Sequence, residues 1–318
     1  MIWIPGGAFT MGSDHHYPEE APAHRVLVDG FFMDRTPVTN RAFADFVAAT
    51  GHVTLAERTP RAEDYPEADP RLLVAGSLVF APPQEAASHA DPMGWWHFMP
   101  GADWRHPQGP GSDLSGGEDH PVVHVCHGDA RAYALWRGKD LPSEAEWEFA
   151  ARGGLEGAEF AWGDELVPGG VHRANTWQGA FPYQNLAEDG HVGTSPVTAF
   201  ARNGYGLFDM IGNVWEWTDD WYAPHPFADT AKACCLPRNP RGGRPQDSLD
   251  PASPGAPRKV LKGGSHLCAP SYCRRYRPAA RQPQTLDTAS VHIGFRCIRR
   301  VAPPPEPILW TIRYRGLT

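Results

Sequence analysis

Hydrophobic positions change their spacing several times along this chain, and each change predicts an element. Arg25-Val-Leu-Val-Asp-Gly-Phe-Phe-Met33 reads as strand up to turn residues at Asp29-Gly30. Phe43, Phe46 and Val47 recur at helical spacing, with Thr39 placed to cap the helix and Gly51 to end it. Leu72-Leu-Val74 and Ser77-Leu-Val-Phe80 read as two strands joined by a glycine turn. The Trp-rich stretch from Pro92 to Pro107 has no clean period, so it reads as irregular chain that packs a core or lines a peptide groove. Val122-Val-His-Val125 predicts a strand leading into a helix near Asp129–Trp136. The next helix opens with a Ser143/Glu146 capping box and stops at Gly153-Gly154. Residues 153–222, dense in Gly, Asn, Asp and Trp, read as ordered loop, and residues 223–258 as a surface excursion. The chain returns through 259–265 and completes its core with Val291-His-Ile-Gly-Phe-Arg-Cys-Ile-Arg299. From Pro303 a stiff peripheral tail is expected. The predicted organisation is therefore one domain over 1–302 and a tail over 303–318, without internal repeats.

Composition narrows the class. A chain of 318 residues, 41% of them hydrophobic, can bury a large core. Its 33 Gly and 33 Pro shorten regular elements, because Gly costs backbone entropy and Pro removes a donor. A formal charge of −8 and the lack of a long basic run argue against a nucleic-acid partner. No run approaches the ~18 apolar residues of a membrane span. The opening Met-Ile-Trp-Ile-Pro-Gly-Gly lacks a basic leader, and six cysteines are too sparse for a disulfide scaffold. A cytoplasmic, mostly reduced protein is expected.

The candidate chemistry lies between Lys262 and Arg281. Cys268 and Cys273 are separated by four residues and flanked by Ser265 and by Arg274, Arg275, Arg277 and Arg281. Spacing alone admits a disulfide, two buried thiols or a metal site. As ligands, thiolates are soft and select Cu(I). Zinc suits the segment less, since no second close Cys or His pair completes four ligands, and His266 is not assigned as one. Adjacent guanidiniums favour thiolate over thiol, yet four together need carboxylates or solvent. Ser265 is either a turn hydroxyl after Gly263-Gly264 or a hydrogen-bonding group at the reaction centre. His120, His124 and His127 have mixed spacing and read as structural. The adjacent pair Cys234-Cys235 is free, bridged or buried, and the sequence does not choose.

Four blocks carry a resemblance over nearly the whole chain. They are Trp3-Ile-Pro-Gly-Gly-Ala-Phe-Thr-Met-Gly-Ser13 with Pro37-Val-Thr-Asn-Arg-Ala-Phe43; Lys139-Asp-Leu-Pro-Ser-Glu-Ala-Glu-Trp-Glu-Phe-Ala-Ala-Arg-Gly-Gly154; Gly204-Tyr-Gly-Leu-Phe-Asp-Met-Ile-Gly-Asn-Val-Trp-Glu-Trp217; and Gly294-Phe-Arg-Cys297. With the segment Gly263–Arg281, they make the chain resemble the formylglycine-generating enzymes, also called sulfatase-modifying factors. The resemblance implies an α+β fold related to C-type lectins and poor in regular elements. It also implies a copper-dependent oxidase that uses O₂ to convert the cysteine of a sulfatase's Cys-x-Pro-x-Arg segment into Cα-formylglycine. Cys268 and Cys273 would hold Cu(I), Ser265 would act beside them, and Trp215, Tyr272 and Arg274 would contact substrate or support the site. Trp215 reads equally well as core.

Two structural Ca²⁺ ions are implied by the same resemblance. One set comprises Asn175 and Asp189 side chains with carbonyls of Thr176 and His191. The other comprises Asp209 and Glu216 side chains with carbonyls of Gly212 and Val214. Asp209 stands where relatives often carry asparagine, keeping an oxygen and adding charge. Disulfides of vertebrate members match Ala134, Ala151, Pro278 and Cys297 here; three of these are not cysteine, so neither bridge is expected and a bacterial-type member is implied. The implied partner is an unfolded or nascent sulfatase. Its arginine calls for a carboxylate, for which Asp64, Asp69 and Asp91 are candidates. Competing readings are a non-catalytic lectin-like binding module and another oxidoreductase of the superfamily, such as a sulfoxide-forming iron enzyme of thiohistidine biosynthesis. Those relatives normally carry an extra N-terminal helical region with iron-binding histidines, which is not expected here because the family blocks start at Trp3.

Overall fold

A computed structural model describes residues 1–66, 69–83, 94–225, 236–250 and 255–301. The strands are β1 (Ile2–Ile4), β2 (Gly7–Met11), β3 (His24–Val28), β4 (Phe31–Met33), β5 (Gly76–Phe80), β6 (Trp96–Pro100), β7 (Trp215–Trp221), β8 (Arg258–Lys262), β9 (Arg281–Thr285), β10 (Ile293–Gly294) and β11 (Ile298–Arg300). Three α-helices join them: α1 (Asn40–Thr50), α2 (His127–Trp136) and α3 (Glu144–Arg152). The strands form a sheet ordered β1-β4-β11, a sheet ordered β10-β7-β8-β9, and the hairpins β2-β3 and β5-β6. The fold is α+β with little regular structure, as expected.

Local chemistry sets the helix ends. Thr39 Oγ1 accepts from Ala42 N–H, and Gly51 ends α1 at φ +68°, so Phe43 and Phe46 turn into the core. At α3, Glu146 N–H donates to Ser143 Oγ (3.1 Å) and Ser143 N–H donates to Glu146 Oε2 (2.7 Å). Every residue of α3 is buried, charged ones included. It packs on β2, β3, β7 and β8, and its acids are paired. Glu144 takes Arg281 Nη2 (2.7 Å), and Glu148 takes Lys262 Nζ (3.0 Å) and Arg152 Nη2 (2.7 Å). These pairs lock β8 and β9, the strands around the cysteine segment, onto the central helix.

Several expectations are corrected. Leu72–Val74 is not a strand: Pro70–Leu72 forms a 3-10 turn, for which Pro70 presets the backbone. The partner of β5 is instead β6, inside the Trp-rich stretch read as irregular. Residues 122–125 lie in no sheet, because His124 adopts φ +58° and interrupts the extended run. The following helix starts at His127, two residues early, with Asp129 Oδ2 accepting from Cys126 N–H (3.0 Å). Residues 215–221, read as loop, form the seven-residue strand β7. Cys234, Cys235, Asp91 and the tail from 303 lie outside the described residues.

Candidate active site

The cysteine segment leaves β8 through Gly263 and Gly264, at φ +97° and +70°. A Cβ on Gly264 would meet the backbone of Arg275 and Tyr276 at 2.9 Å, so glycine lets two parts of the segment touch. Two turns follow. Cys268 N–H donates to Ser265 O (2.9 Å), and Tyr272 and Cys273 N–H both donate to Ala269 O (3.2 and 2.9 Å). They bring Cys268 Sγ to 3.1 Å from Cys273 Sγ. Both are free thiols, which sets aside the disulfide reading in this structure. Cys268 is buried and Cys273 half-buried, so the pair faces the core on one side and the surface on the other.

The two sulfurs are unlike in charge. A hydrogen bond from Cys268 and the nearby Arg275 guanidinium outweigh burial and lower Cys273 to about 7. Burial and the neighbouring Cys273 push Cys268 well up. Near neutral pH the pair therefore holds one proton on Cys268 and thiolate character on Cys273. Ser265 is fully buried; its N–H donates to Cys268 Sγ (3.4 Å) while its Oγ accepts from Leu267 N–H (3.2 Å). It thus serves the turn and orients a sulfur at once. His266 is neutral, lowered to about 4 by burial, and its Nδ1–H donates to Asn213 O (2.8 Å).

Each arginine of the segment has its own carboxylate. Arg274 pairs with Glu159, Arg275 with Glu19, Arg277 with Glu20 and Arg281 with Glu144. Tyr17 adds a further tie: its OH accepts from Arg274 N–H (3.0 Å) and its ring lies 3.9 Å from the Arg275 guanidinium. Tyr17, Glu19, Glu20 and Glu159 are site residues that sequence reasoning missed. The signal available was charge complementarity between Glu19-Glu20 and the arginine cluster. Tyr272 stacks on Phe181 (4.5 Å, 12°), which with Trp95, Trp177 and Phe80 forms an aromatic wall beside Cys273. Trp215 is buried in the large core that also contains Cys268. The histidines do not converge: His124 lies between Ser77 and Pro107 O, His120 meets Thr194, and His127 meets Asp219. Asp64 is paired with Arg61 and Asp69 with Arg71.

The residues implied for calcium form two loop clusters. Asp189 Oδ2 accepts from Thr176 N–H (3.0 Å) and Gln178 Nε2 (2.8 Å), while its Oδ1 accepts from His191 N–H (2.9 Å). Beside them, Asn175 Oδ1 is buried without a hydrogen-bond partner. Asp209 Oδ1 is likewise buried and unpartnered. Two open hard oxygens, one per set, fit a cation that binds oxygen. Glu216 is engaged differently: it accepts from Arg296 Nη2 and Nε (both 2.7 Å) and from Trp147 Nε1 (2.8 Å). Gly212 and Val214 bracket Asn213, whose Nδ2 donates to Asp209 Oδ2 (2.9 Å).

A family model described as Sulfatase-modifying factor enzyme 1-like domain matches residues 1–301. The chain belongs to that family. The formylglycine-generating enzyme of Mycobacterium tuberculosis (strain ATCC 25618 / H37Rv) is 52% identical over 94% of this chain and 97% of its own. That of Mus musculus is 43% identical over 93% of this chain and 74% of its own. The family also includes a Mus musculus protein named inactive C-alpha-formylglycine-generating enzyme 2, 38% identical over 97% of this chain and 88% of its own. Membership therefore leaves the chemistry to be argued from the site. Among solved structures, PvdO from Pseudomonas aeruginosa superposes with a TM-score of 0.62 at 23% identity, covering 94% of this chain and 93% of its own. That likeness supports the fold. No helix among the described residues is long and apolar enough to cross a membrane.

Proposed function

We propose that this chain converts the cysteine of a Cys-x-Pro-x-Arg segment in an unfolded or nascent sulfatase into Cα-formylglycine, with O₂ as acceptor and Cu(I) as cofactor. The observation that carries the reading is the 3.1 Å approach of Cys268 and Cys273 sulfurs, one of them with thiolate character at neutral pH. The names of the most similar relatives point the same way.

Two soft sulfurs within reach of one ion suit Cu(I), and Cys268 and Cys273 would hold it. When bound, copper would supply the O₂-dependent redox chemistry that side chains lack. The chain's own residues prepare the site. Burial of Cys268 excludes water from the core side, while half-exposed Cys273 faces the incoming client. Arg275 stabilises negative charge on sulfur, and its pairing with Glu19 fixes where that charge is felt. Ser265 N–H aims at Cys268 Sγ. Tyr272 and Phe181 offer an apolar face for residues flanking the client cysteine.

Calcium is proposed in a structural role. Asn175 and Asp189 with the Thr176 and His191 carbonyls would hold one ion. Asp209 would anchor a second with the Gly212 and Val214 carbonyls, while Glu216 neutralises Arg296 beside it. A cytoplasmic location fits the reduced thiols.

The test is incubation of a Cys-x-Pro-x-Arg peptide with protein, Cu(I) and O₂, followed by mass analysis. The aldehyde product is expected, and its loss in Cys268→Ala and in Cys273→Ala. An unchanged peptide with copper-loaded protein would favour the binding-module reading instead.

A further inference from the structure

Tyr17 is an aromatic residue that core packing does not explain. It belongs to neither hydrophobic cluster of the described residues. Residues 13–16, just before it, line a cavity of about 430 Å³ with Arg152, Glu159 and Arg277, so the segment is not backed by packed core there. A short 3-10 turn, Pro18–Glu20, opens directly after it, with Pro18 presetting the backbone and Glu20 N–H donating to Tyr17 O (2.9 Å). This turn presents three side chains to one strip of the cysteine segment. Tyr17 meets Arg274 and Arg275, Glu19 meets Arg275, and Glu20 meets Arg277. The two carboxylates neutralise charge, whereas Tyr17 holds its partners by other means.

Both residues that follow Cys273 are in its grip. The Tyr17 hydroxyl accepts the Arg274 main-chain N–H at 3.0 Å, and the ring stands 3.9 Å from the Arg275 guanidinium. Arg275 Nε is buried without a hydrogen-bond partner, so the Glu19 pair and the Tyr17 ring orient that group. The two sulfurs are anchored unequally. Cys268 is buried in the large core, whereas Cys273 is half-buried and ends a turn closed on Ala269 O. Where Cys273 Sγ lies relative to Cys268 Sγ, 3.1 Å away, therefore depends on how the chain leaves residue 273. We propose that Tyr17 is a positioning residue of the thiol pair: by holding the Arg274 main chain and the Arg275 side chain together, it keeps the Cys273 sulfur in register with that of Cys268, so that both reach one ion. The assignment rests on the formylglycine-generating reading for the use of the pair, while the positioning is a property of the two thiols themselves.

Two substitutions separate the contacts. Tyr17→Phe keeps the ring and removes the hydroxyl, and Tyr17→Leu removes both. The first readout needs no metal. Copper-free protein is equilibrated in glutathione buffers of known ratio, and the fraction of Cys268–Cys273 disulfide, read by mass after alkylation, gives the effective concentration of one thiol at the other. The second readout is Cu(I) affinity by competition with a coloured chelator. Loss of one hydrogen bond predicts a fall of about fivefold in both for Tyr17→Phe. Loss of the ring contact as well predicts about twentyfold for Tyr17→Leu. Urea curves set the conditions in which each variant is folded. Wild-type values in both variants, even with a lowered urea midpoint, overturn the assignment. A fall in Tyr17→Leu that Tyr17→Phe fully restores keeps it and assigns the hold to the ring. Where Tyr17→Leu does not fold, wild-type values in Tyr17→Phe overturn it. Wild-type protein that forms the disulfide but takes up no Cu(I) overturns the copper reading, and the first readout then decides the role of Tyr17 alone.

Discussion

Arg277 and Glu20, 257 positions apart, form a fully buried bidentate pair, with Nη1 to Oε2 at 2.8 Å and Nη2 to Oε1 at 2.5 Å. The pair pins the cysteine segment to the N-terminal segment, and Arg277 Nε also donates to Arg274 O (2.8 Å). Removing one partner leaves an uncompensated buried charge, so Glu20→Ala should lose about 3–5 kcal/mol of stability. Replacing both together with apolar residues should recover much of it, because no lone charge remains. Urea denaturation of the two variants separates these outcomes. Equal losses in both would mean that packing, not charge, holds the junction.

Gly264→Ala tests the backbone crossing under the thiols. Its φ of +70° disfavours any Cβ, and the added atom would stand 2.9 Å from the Arg275 and Tyr276 backbone. A cost of about 2 kcal/mol or more is expected. The Cys268 and Cys273 turns should also separate, and Cu(I) retention after desalting should drop. Unchanged copper retention in a destabilised variant would show that the thiol turns do not depend on this crossing.

These relationships were unequally visible in the amino-acid order. The Ser143/Glu146 box and the Thr39-to-Gly51 frame act within a few residues, so α3 and α1 could be read directly. The meeting of Cys268 with Cys273 was likewise legible through the local run around them. β6 was hidden because Trp96, Phe98 and Met99 are all partly buried, which blurs the alternation a strand usually shows. β7 was hidden because Glu216, a buried acid in a strand, makes sense only once Arg296 is seen across from it. The carboxylates of the site were least legible. Glu19, Glu20 and Glu159 meet arginines more than 100 positions away, and no local pattern names a partner at that range.

The charge asymmetry of the thiols predicts a pH profile. Cys273 is lowered from the ordinary thiol value to about 7. Its thiolate, and hence its alkylation by iodoacetamide, should rise through pH 7 and level off above it. Stability linked to this group is present above the unfolded thiol's pKa and is lost as pH falls through 7. Arg275→Gln should move the alkylation midpoint upward, and so should Cys268→Ala, which removes the donor. Mass mapping of the alkylated peptide checks that Cys273 reacts ahead of buried Cys268. A midpoint near the ordinary thiol value in wild-type protein would remove the argument for a preformed thiolate.

Asp209 predicts an opposite slope, and calcium should erase it. Its Oδ1 is buried without a hydrogen-bond partner, and burial raises the carboxyl from 3.8 to about 6. Between these values the folded chain binds more protons than the unfolded one. In calcium-free protein its contribution to stability therefore falls as pH rises from about 4 to 6 and stays low above. The deficit at pH 7 is about 3 kcal/mol by that shift. Asp209→Asn removes the charge, so in EGTA the variant should gain on the parent as pH rises from 4.5 to 7. Added Ca²⁺ should stabilise the parent most at pH 7, where no proton competes for the oxygen, and the variant less. Thermal melts at both pH values, with EGTA or Ca²⁺, give all four comparisons. A parent-variant difference that ignores both pH and Ca²⁺ would show that Asp209 is neither strained by burial nor a ligand.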